Sequence, residues 1–262
     1  MLPGRHFLRN LFAERSLIYQ LVRRDFRQRY VGSIAGWLWG VVHPLVLLAV
    51  YTFVFSAVGA KLPVGEVTDN FPMFLFCGML PWLLFSETLQ RSAPCLVEYS
   101  TLIKKSVFPS EVAPLTILLS TVISHLLALA MLLVAVAVWL ETWSLALLSL
   151  PLVIILLATL SLGMAWIFAA LHVYLRDTAQ VLAVALTAWF WLTPIFFSEQ
   201  TFPRFARLNP LTYAIRGYRD VILGAQWPAW QDLLVLTACS GTFFLIGALF
   251  FRQAKRGFAD VL

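Results

Sequence analysis

The chain has 262 residues, 61% of them hydrophobic and 12% charged, with a net charge of +6 and a mean hydropathy of +0.84. Soluble domains run at roughly 45–50% apolar and about 25% charged. A soluble fold of this size has too little interior to hide so much apolar surface. Disorder needs low hydrophobicity, and a nucleic-acid groove needs basic residues clustered on a polar face, whereas here Lys and Arg punctuate apolar runs. The composition is that of an all-α integral membrane protein, read as a single domain over 1–262.

A bilayer core of about 30 Å needs roughly 20 apolar residues of helix, and the elements follow in chain order on that measure. The first eighteen residues carry Arg5, Arg9, Glu14 and Arg15, which is not the pattern of a cleaved secretory leader; the first span is expected to serve as its own insertion signal. Residues 1–30 lead up to span 1, and within them Ile18, Val22, Phe26 and Tyr30 share one helical face while Arg24, Asp25, Arg27 and Gln28 lie on others. That pattern predicts an interfacial amphipathic helix, apolar side toward lipid; the alternative is a charged flank that only orients span 1. Spans are expected at 37–60, 70–90, 112–140, 144–172, 178–198 and 233–251. Between spans 2 and 3, Leu96, Tyr99, Ile103 and Val107 fall on one face between Pro94 and Pro109. A short helix over 96–107 in such a loop suits docking to a soluble partner, or is an ordinary connection. Glu87 is placed to pair with Arg91 one turn on.

Between spans 5 and 6, residues 199–232 are too long for a simple connection. Asn209 is a good N-cap and Pro210 suits the first helical position. A helix of about four turns should follow, with Arg216 and Asp220 paired at i, i+4 and Gly224 at its end. It should lie near the outer surface or dip in and return. Trp227 and Trp230 then anchor the entry to span 6.

Six spans put both termini on one side. Fourteen of the 19 basic residues fall on the N-terminal side, all but Lys61, Arg204, Arg207, Arg216 and Arg219, so both termini are expected in the cytoplasm. The three cysteines, Cys77, Cys95 and Cys239, have no CxxC spacing and read as small buried hydrophobes. The sequence has no phosphate-binding Gly-x-x-x-x-Gly-Lys-Ser/Thr loop and no zinc-ligand spacing. Neither a metal nor a catalytic residue is therefore expected. Ion-coupled transport requires ionisable groups within the spans, and here only His43, His125 and His172 qualify. His125 is read as a neutral side chain bonded to a neighbouring helix rather than as a relay.

Aromatic residues dominate instead, with 10 Trp, 7 Tyr and 21 Phe. Tyr51 and Phe55 share a face of span 1. Span 2 carries Trp82, and span 5 reads AWFWLTPIFF, with Trp189 above Phe196 and Phe190 above Phe197 at i, i+7 and a kink at Pro194. The rings form a lipid-facing belt or line a pore in which sugar C–H faces slide over aromatic surfaces.

The stretch LIYQLVRRDFRQRYVGSIAGWLWGVVHPLVLLAVYTFVFS resembles the opening of the permease subunits of bacterial polysaccharide ABC exporters, the ABC-2 type transporters of O-antigen, capsule or teichoic acid. The resemblance rests on Arg24-Asp25-Phe26, Arg29-Tyr30, Gly32-Ser33, Gly36, Trp37, Trp39 and Pro44. It continues through Pro81-Trp82, Tyr174-Leu175-Arg176-Asp177, Thr193-Pro194-Ile195 and Asn209-Pro210-Leu211. It implies a non-enzymatic permease in the bacterial inner membrane, working as a homodimer with two P-loop ATP-binding subunits that carry the ATP and magnesium. The substrate would be a glycan on a polyprenyl pyrophosphate lipid. The glycan path would run along Tyr51, Phe55, Trp82, Trp189, Phe190, Phe196 and Phe197. Arg24, Arg27 and Arg29 would meet the pyrophosphate, or serve only orientation and lipid contact. Coupling to the ATPase would use Leu96, Tyr99, Ile103, Lys104 and Lys105, with Arg176 and Asp177 as a second contact. The helix bearing Asn209, Pro210, Tyr213, Arg216, Tyr218 and Asp220 would close the exit as a re-entrant element. Three alternatives remain open: an ABC-2 permease for a small amphiphile, a membrane enzyme of glycan assembly, and a passive structural subunit of a larger complex.

Overall fold

Asn70 opens the helix on which the others pack. Its side chain accepts from the Met73 amide at 3.2 Å, while Thr68 Oγ1 accepts from the Asn70 amide, so the first turn is capped from two residues. The computed structural model describes residues 15–29, 36–57, 59, 68–105, 109–139, 144–197, 199 and 203–261. Among them the helices are α1 (Arg15–Gln28), α2 (Trp39–Ala57), α3 (Phe71–Glu98), α4 (Ser100–Lys105), α5 (Val112–Trp139), α6 (Leu150–Tyr174), α7 (Thr178–Leu192), α8 (Pro203–Leu208), α9 (Pro210–Ile222), α10 (Trp230–Ala254) and α11 (Phe258–Val261). Short 3₁₀ turns precede α2 and α6 and join α10 to α11, and there is no strand among the described residues.

Among the described residues, four helices are long and apolar enough to cross a membrane: α3, α5, α6 with its leading turn, and α10. The apolar helices α2 and α7 are shorter, and α7, with 15 residues, reaches only about 22 Å. The helix expected through 198 stops at Leu192, because Thr193 takes an extended conformation and Pro194 has no amide to continue the ladder. The break is therefore an end and not a kink. In contrast, Pro81 and Pro94 lie inside α3, which runs on to Glu98 through the point where a break was expected; prolines inside packed membrane helices are tolerated when neighbours satisfy the freed carbonyls.

α3 is the hub, with Phe74, Leu75, Phe85, Leu89 and Leu96 all fully buried; it packs against α2, α5, α6, α7 and α9. A surrounded helix has no lipid face, and the first half of α3, Phe71 to Phe85, is apolar all round. α6 and α10 pack backbone to backbone. A Cβ at Gly163 would overlap the Phe243 carbonyl, and one at Gly247 would overlap the Gly163 carbonyl. Small residues permit this approach.

The chain end returns to the same end of the bundle as the α3–α5 connection. Lys255 Nζ bonds Glu111 Oε2 at 2.6 Å, Tyr174 Oη donates to the Ala254 carbonyl at 2.7 Å, and Phe258 packs on Phe251 and Tyr174. Of the sequence expectations, residues 1–14 and Tyr30 of the amphipathic segment, Gly32, Ser33, Lys61, residues 106–107 of the proposed docking helix and the span ends at 58, 60, 140 and 198 lie outside the described residues.

Candidate functional site

Rings from three helices meet at one place. Tyr51 and Phe55 come from α2, Trp82 and Phe85 from α3, Trp189 and Phe190 from α7. Phe196 joins them from the turn after α7. Phe196 lies at 5.0 Å from Tyr51, 4.9 Å from Phe55 in a stack, and 5.1 Å from Phe190. Trp82 sits 5.4 Å from Phe190 and 6.5 Å from Trp189. The i, i+7 registry expected of a continuous helix does not produce this meeting. The helix ends, and the turn carries Phe196 back onto the same rings. Phe197 is half-buried against the core. A cleft of about 240 Å³ opens beside the cluster, walled by Leu47, Tyr51, Trp82, Gln90, Phe190 and Trp191.

The turn is held from α9. Asn209 does two things: its Oδ1 accepts from the Leu211 amide at 3.0 Å as the expected N-cap, and its Nδ2 donates to Thr193 Oγ1 at 2.9 Å. From the far part of α9, Arg219 donates to the Ile195 carbonyl at 3.0 Å. Thus the residues on both sides of Pro194, Thr193 by its hydroxyl and Ile195 by its carbonyl, are held from one helix and its cap. α9 is not a surface element. Leu211, Ala214, Ile215 and Tyr218 are fully buried, and His125 Nε2 of α5 lies 2.7 Å from Tyr218 Oη. That contact agrees with His125 bonded to a neighbouring helix.

Two expected pairs are replaced by longer-range ones. Arg216 does not pair with Asp220; its Nε donates to Glu199 at 2.6 Å, a second bond reaches the other Glu199 oxygen, and Nη1 donates to Asp232 at 2.9 Å. Two carboxylates from flanking segments suit a guanidinium fork better than one neighbour on the same helix. Tyr213 Oη donates to the Arg207 carbonyl at 2.7 Å. The helix ends at Ile222, and the left-handed residue beyond it is Ala225 and not Gly224. Asp220 is half-buried beside this group. Burial, with the carboxylates of Asp232 and Glu199, pushes its carboxyl up to about 6, against the pull of Arg216 and Arg219.

At the opposite end, α1 is clamped to the bundle. Arg91 Nη2 reaches both oxygens of Asp25 at 2.7 and 2.8 Å. Arg29 pairs with Glu87 at 2.8 Å and donates to Ser124 at 2.9 Å and Thr121 at 3.4 Å. The expected Glu87–Arg91 pair is therefore absent, because α1 supplies a better partner to each. Arg24 and Arg27 stay exposed on α1, so of the three arginines only Arg29 is already engaged.

The segment expected as one helix over 96–107 is in two pieces. Leu96 is fully buried in the last turn of α3, Tyr99 interrupts the helix, and Ile103 is half-buried in α4 with Lys104 and Lys105 at its end. Arg176 and Asp177 are exposed in the turn between α6 and α7.

Three features escaped the sequence reading. One is Arg219, which is only 5% exposed. Another is Gln90, which borders the aromatic cleft. The third is a polar stripe on α5, Thr116, Ser120, Thr121 and Ser124, every member buried, which leads to the His125 that the sequence does single out. The stripe was visible in principle, as polar residues spaced one turn apart in an otherwise apolar run.

A family model described as ABC-2 type transporter matches residues 16–223. The O-antigen export system permease protein RfbA of Myxococcus xanthus is 29% identical, over 97% of this chain and 98% of its own length. A Klebsiella pneumoniae protein of the same name is 27% identical, over 94% and 95%. The polysialic acid transport protein KpsM of Escherichia coli is 23% identical, over 90% and 92%.

Proposed function

The chain belongs to the ABC-2 type transporter family, and on that premise we propose that it is the membrane permease of an ATP-driven exporter of lipid-linked polysaccharide. The observation that carries this reading is the convergence of rings from α2, α3, α7 and the Pro194 turn on one cleft. Stacked rings contact the C–H faces of sugars and hold no ionic site, so a polymer can move past them without being trapped. The names of the relatives, which concern O-antigen and polysialic acid, favour a glycan over a small amphiphile.

In this reading α2 and α7 complete six spans, both termini are cytoplasmic, and the chain resides in the bacterial inner membrane. Two copies face each other across the cleft, and ATP is bound and hydrolysed on two separate P-loop subunits. Those subunits dock at Tyr99, Ile103, Lys104 and Lys105 and at the Arg176–Asp177 turn. The exposed Arg24 and Arg27 meet the pyrophosphate, since a guanidinium matches phosphate oxygens two at a time. α9 closes the exit and sets the position of Phe196.

Deletion of the gene tests the proposal when surface glycan and intracellular polyprenyl-linked glycan are assayed together. Loss of surface polymer with accumulation of finished lipid-linked chains is expected. Unchanged surface glycan would overturn the reading, and loss without accumulation would move the protein to glycan synthesis.

A further inference from the structure

A second, larger cavity of about 580 Å³ lies between the start of α2, the middle of α3 and the middle of α5. Its walls include Leu83 and Gln90, which also wall the aromatic cleft, so the two spaces adjoin. Its lining is mostly apolar with a few polar groups directed inward, the ordinary character of a small-molecule site.

The polar groups favour an uncharged, hydroxyl-rich ligand. Arg29 and Glu87 are both on the wall, 2.8 Å apart, so the pair is neutral as a unit and a phosphate seated on Arg29 would meet the Glu87 carboxylate. Ser86, Thr121 and Ser124 offer hydroxyls from faces that are at least nine-tenths buried, and Gln90 offers an amide. Among the described residues, Arg29 Nε is buried without a hydrogen-bond partner. A buried donor of that kind is costly unless a ligand or water satisfies it. Trp39, 50% exposed, stands on the wall beside His43. An indole face next to hydroxyl, amide and carboxylate groups is the combination a pyranose ring needs: C–H against the ring, hydroxyls to the polar atoms.

We infer that this cavity is a loading site for one or two uncharged sugar units of the exported glycan, which pass from it by way of Gln90 into the aromatic cleft. The inference rests on the polysaccharide reading above and names the site where that substrate first leaves the membrane surface.

The test uses the full chain in lipid nanodiscs and saturation-transfer NMR with methyl glycosides of mannose, galactose and N-acetylglucosamine as probes. At least one glycoside should bind. Gln90→Leu and Trp39→Ala change exposed side chains and remove little core, and each should weaken that binding about tenfold, the loss expected when one hydrogen-bond or stacking partner of the sugar is removed. Leu234→Ala, at an exposed residue of α10 that lines neither space, should leave it unchanged, and inorganic pyrophosphate should not displace the sugar. The inference is overturned if no glycoside binds, if both cavity variants bind as the parent does, or if pyrophosphate competes. Gene deletion separates the two levels. Intact surface glycan after deletion removes the export reading itself, whereas lost glycan together with a silent or variant-insensitive cavity removes the loading site alone.

Discussion

Arg219 is a cation placed where cations are expensive. Its guanidinium carbon lies 3.5 Å from the centre of the Phe74 ring and its Nη2 donates to the Ile195 carbonyl. A ring face and a carbonyl together replace part of the lost water. Room for it exists only because residue 78 has no side chain: a Cβ there would come within 2.8 Å of Nη2. Gly78→Ala should therefore lower stability by about 1–3 kcal/mol, the usual range for overpacking. The thermal unfolding midpoint of the detergent-solubilised protein measures this, and an unchanged midpoint would show that Arg219 can move aside. Asp220, the next residue, yields a pH prediction. Its carboxyl titrates at about 6 in the folded protein against 3.8 ordinarily, so between those values the folded chain holds more protons than the unfolded one. The stability tied to this group is thus fully present below the ordinary value and declines as pH rises through 6. Asp220→Asn should raise the unfolding midpoint relative to the parent at pH 7.5 and match it at pH 4. A constant offset at both pH values would refute the assignment.

At the level of elements, α1 is tied down by partly buried ion pairs more than by its apolar stripe alone. Removing one partner of such a pair leaves the other exposed to a poor environment. Asp25→Ala should free α1 and speed tryptic cleavage at Arg23, Arg24 and Arg27 at least about fivefold, since about 1 kcal/mol in a local opening equilibrium is a factor of that size. The exchange Asp25→Arg with Arg91→Asp should restore resistance, and failure of the exchange would mean that the pair contributes nothing. The same comparison separates what the sequence shows from what it hides. Asn209–Pro210 marks the start of α9 because capping is local chemistry. The apolar runs mark α3, α5, α6 and α10 because their length is set by bilayer thickness. Partners such as Asp25 for Arg91 or Glu199 for Arg216 are hidden. Each lies tens of residues away, or across a loop, and only tertiary packing chooses it over the helical neighbour. The extent of α3 was misread for a related reason: Pro94 ends a helix in water, but inside a packed bundle it does not. The aromatic cleft was half legible. The residue types and helices were evident, whereas the route of Phe196 depends on a helix end set by Asn209 and Arg219.

For the whole molecule, the rings of the cleft stand on unequal supports. Trp82 and Phe85 belong to the buried hub α3, while Trp189, Phe190 and Trp191 belong to α7, most of whose residues are exposed. Phe196→Ala removes the ring that contacts Tyr51, Phe55, Phe190 and Trp191 together. In cells that express the variant at parental level, surface glycan should fall about tenfold or more, because loss of a central aromatic contact costs roughly 1–3 kcal/mol. Parental export from Phe196→Ala and Trp189→Ala alike would sink the aromatic path.

The backbone seam between α6 and α10 settles which parts of the machine can act as levers. Carbonyl rests on glycine at Gly163 and Gly247, so neither helix can slide or roll against the other without collision. Packed matter of that density switches between discrete arrangements or stays put. The pair is a fulcrum. In the export reading proposed above, the stroke that widens the ring cluster is made by α2 and α7 swinging against it, and two spin labels set across the seam keep one distance through the cycle.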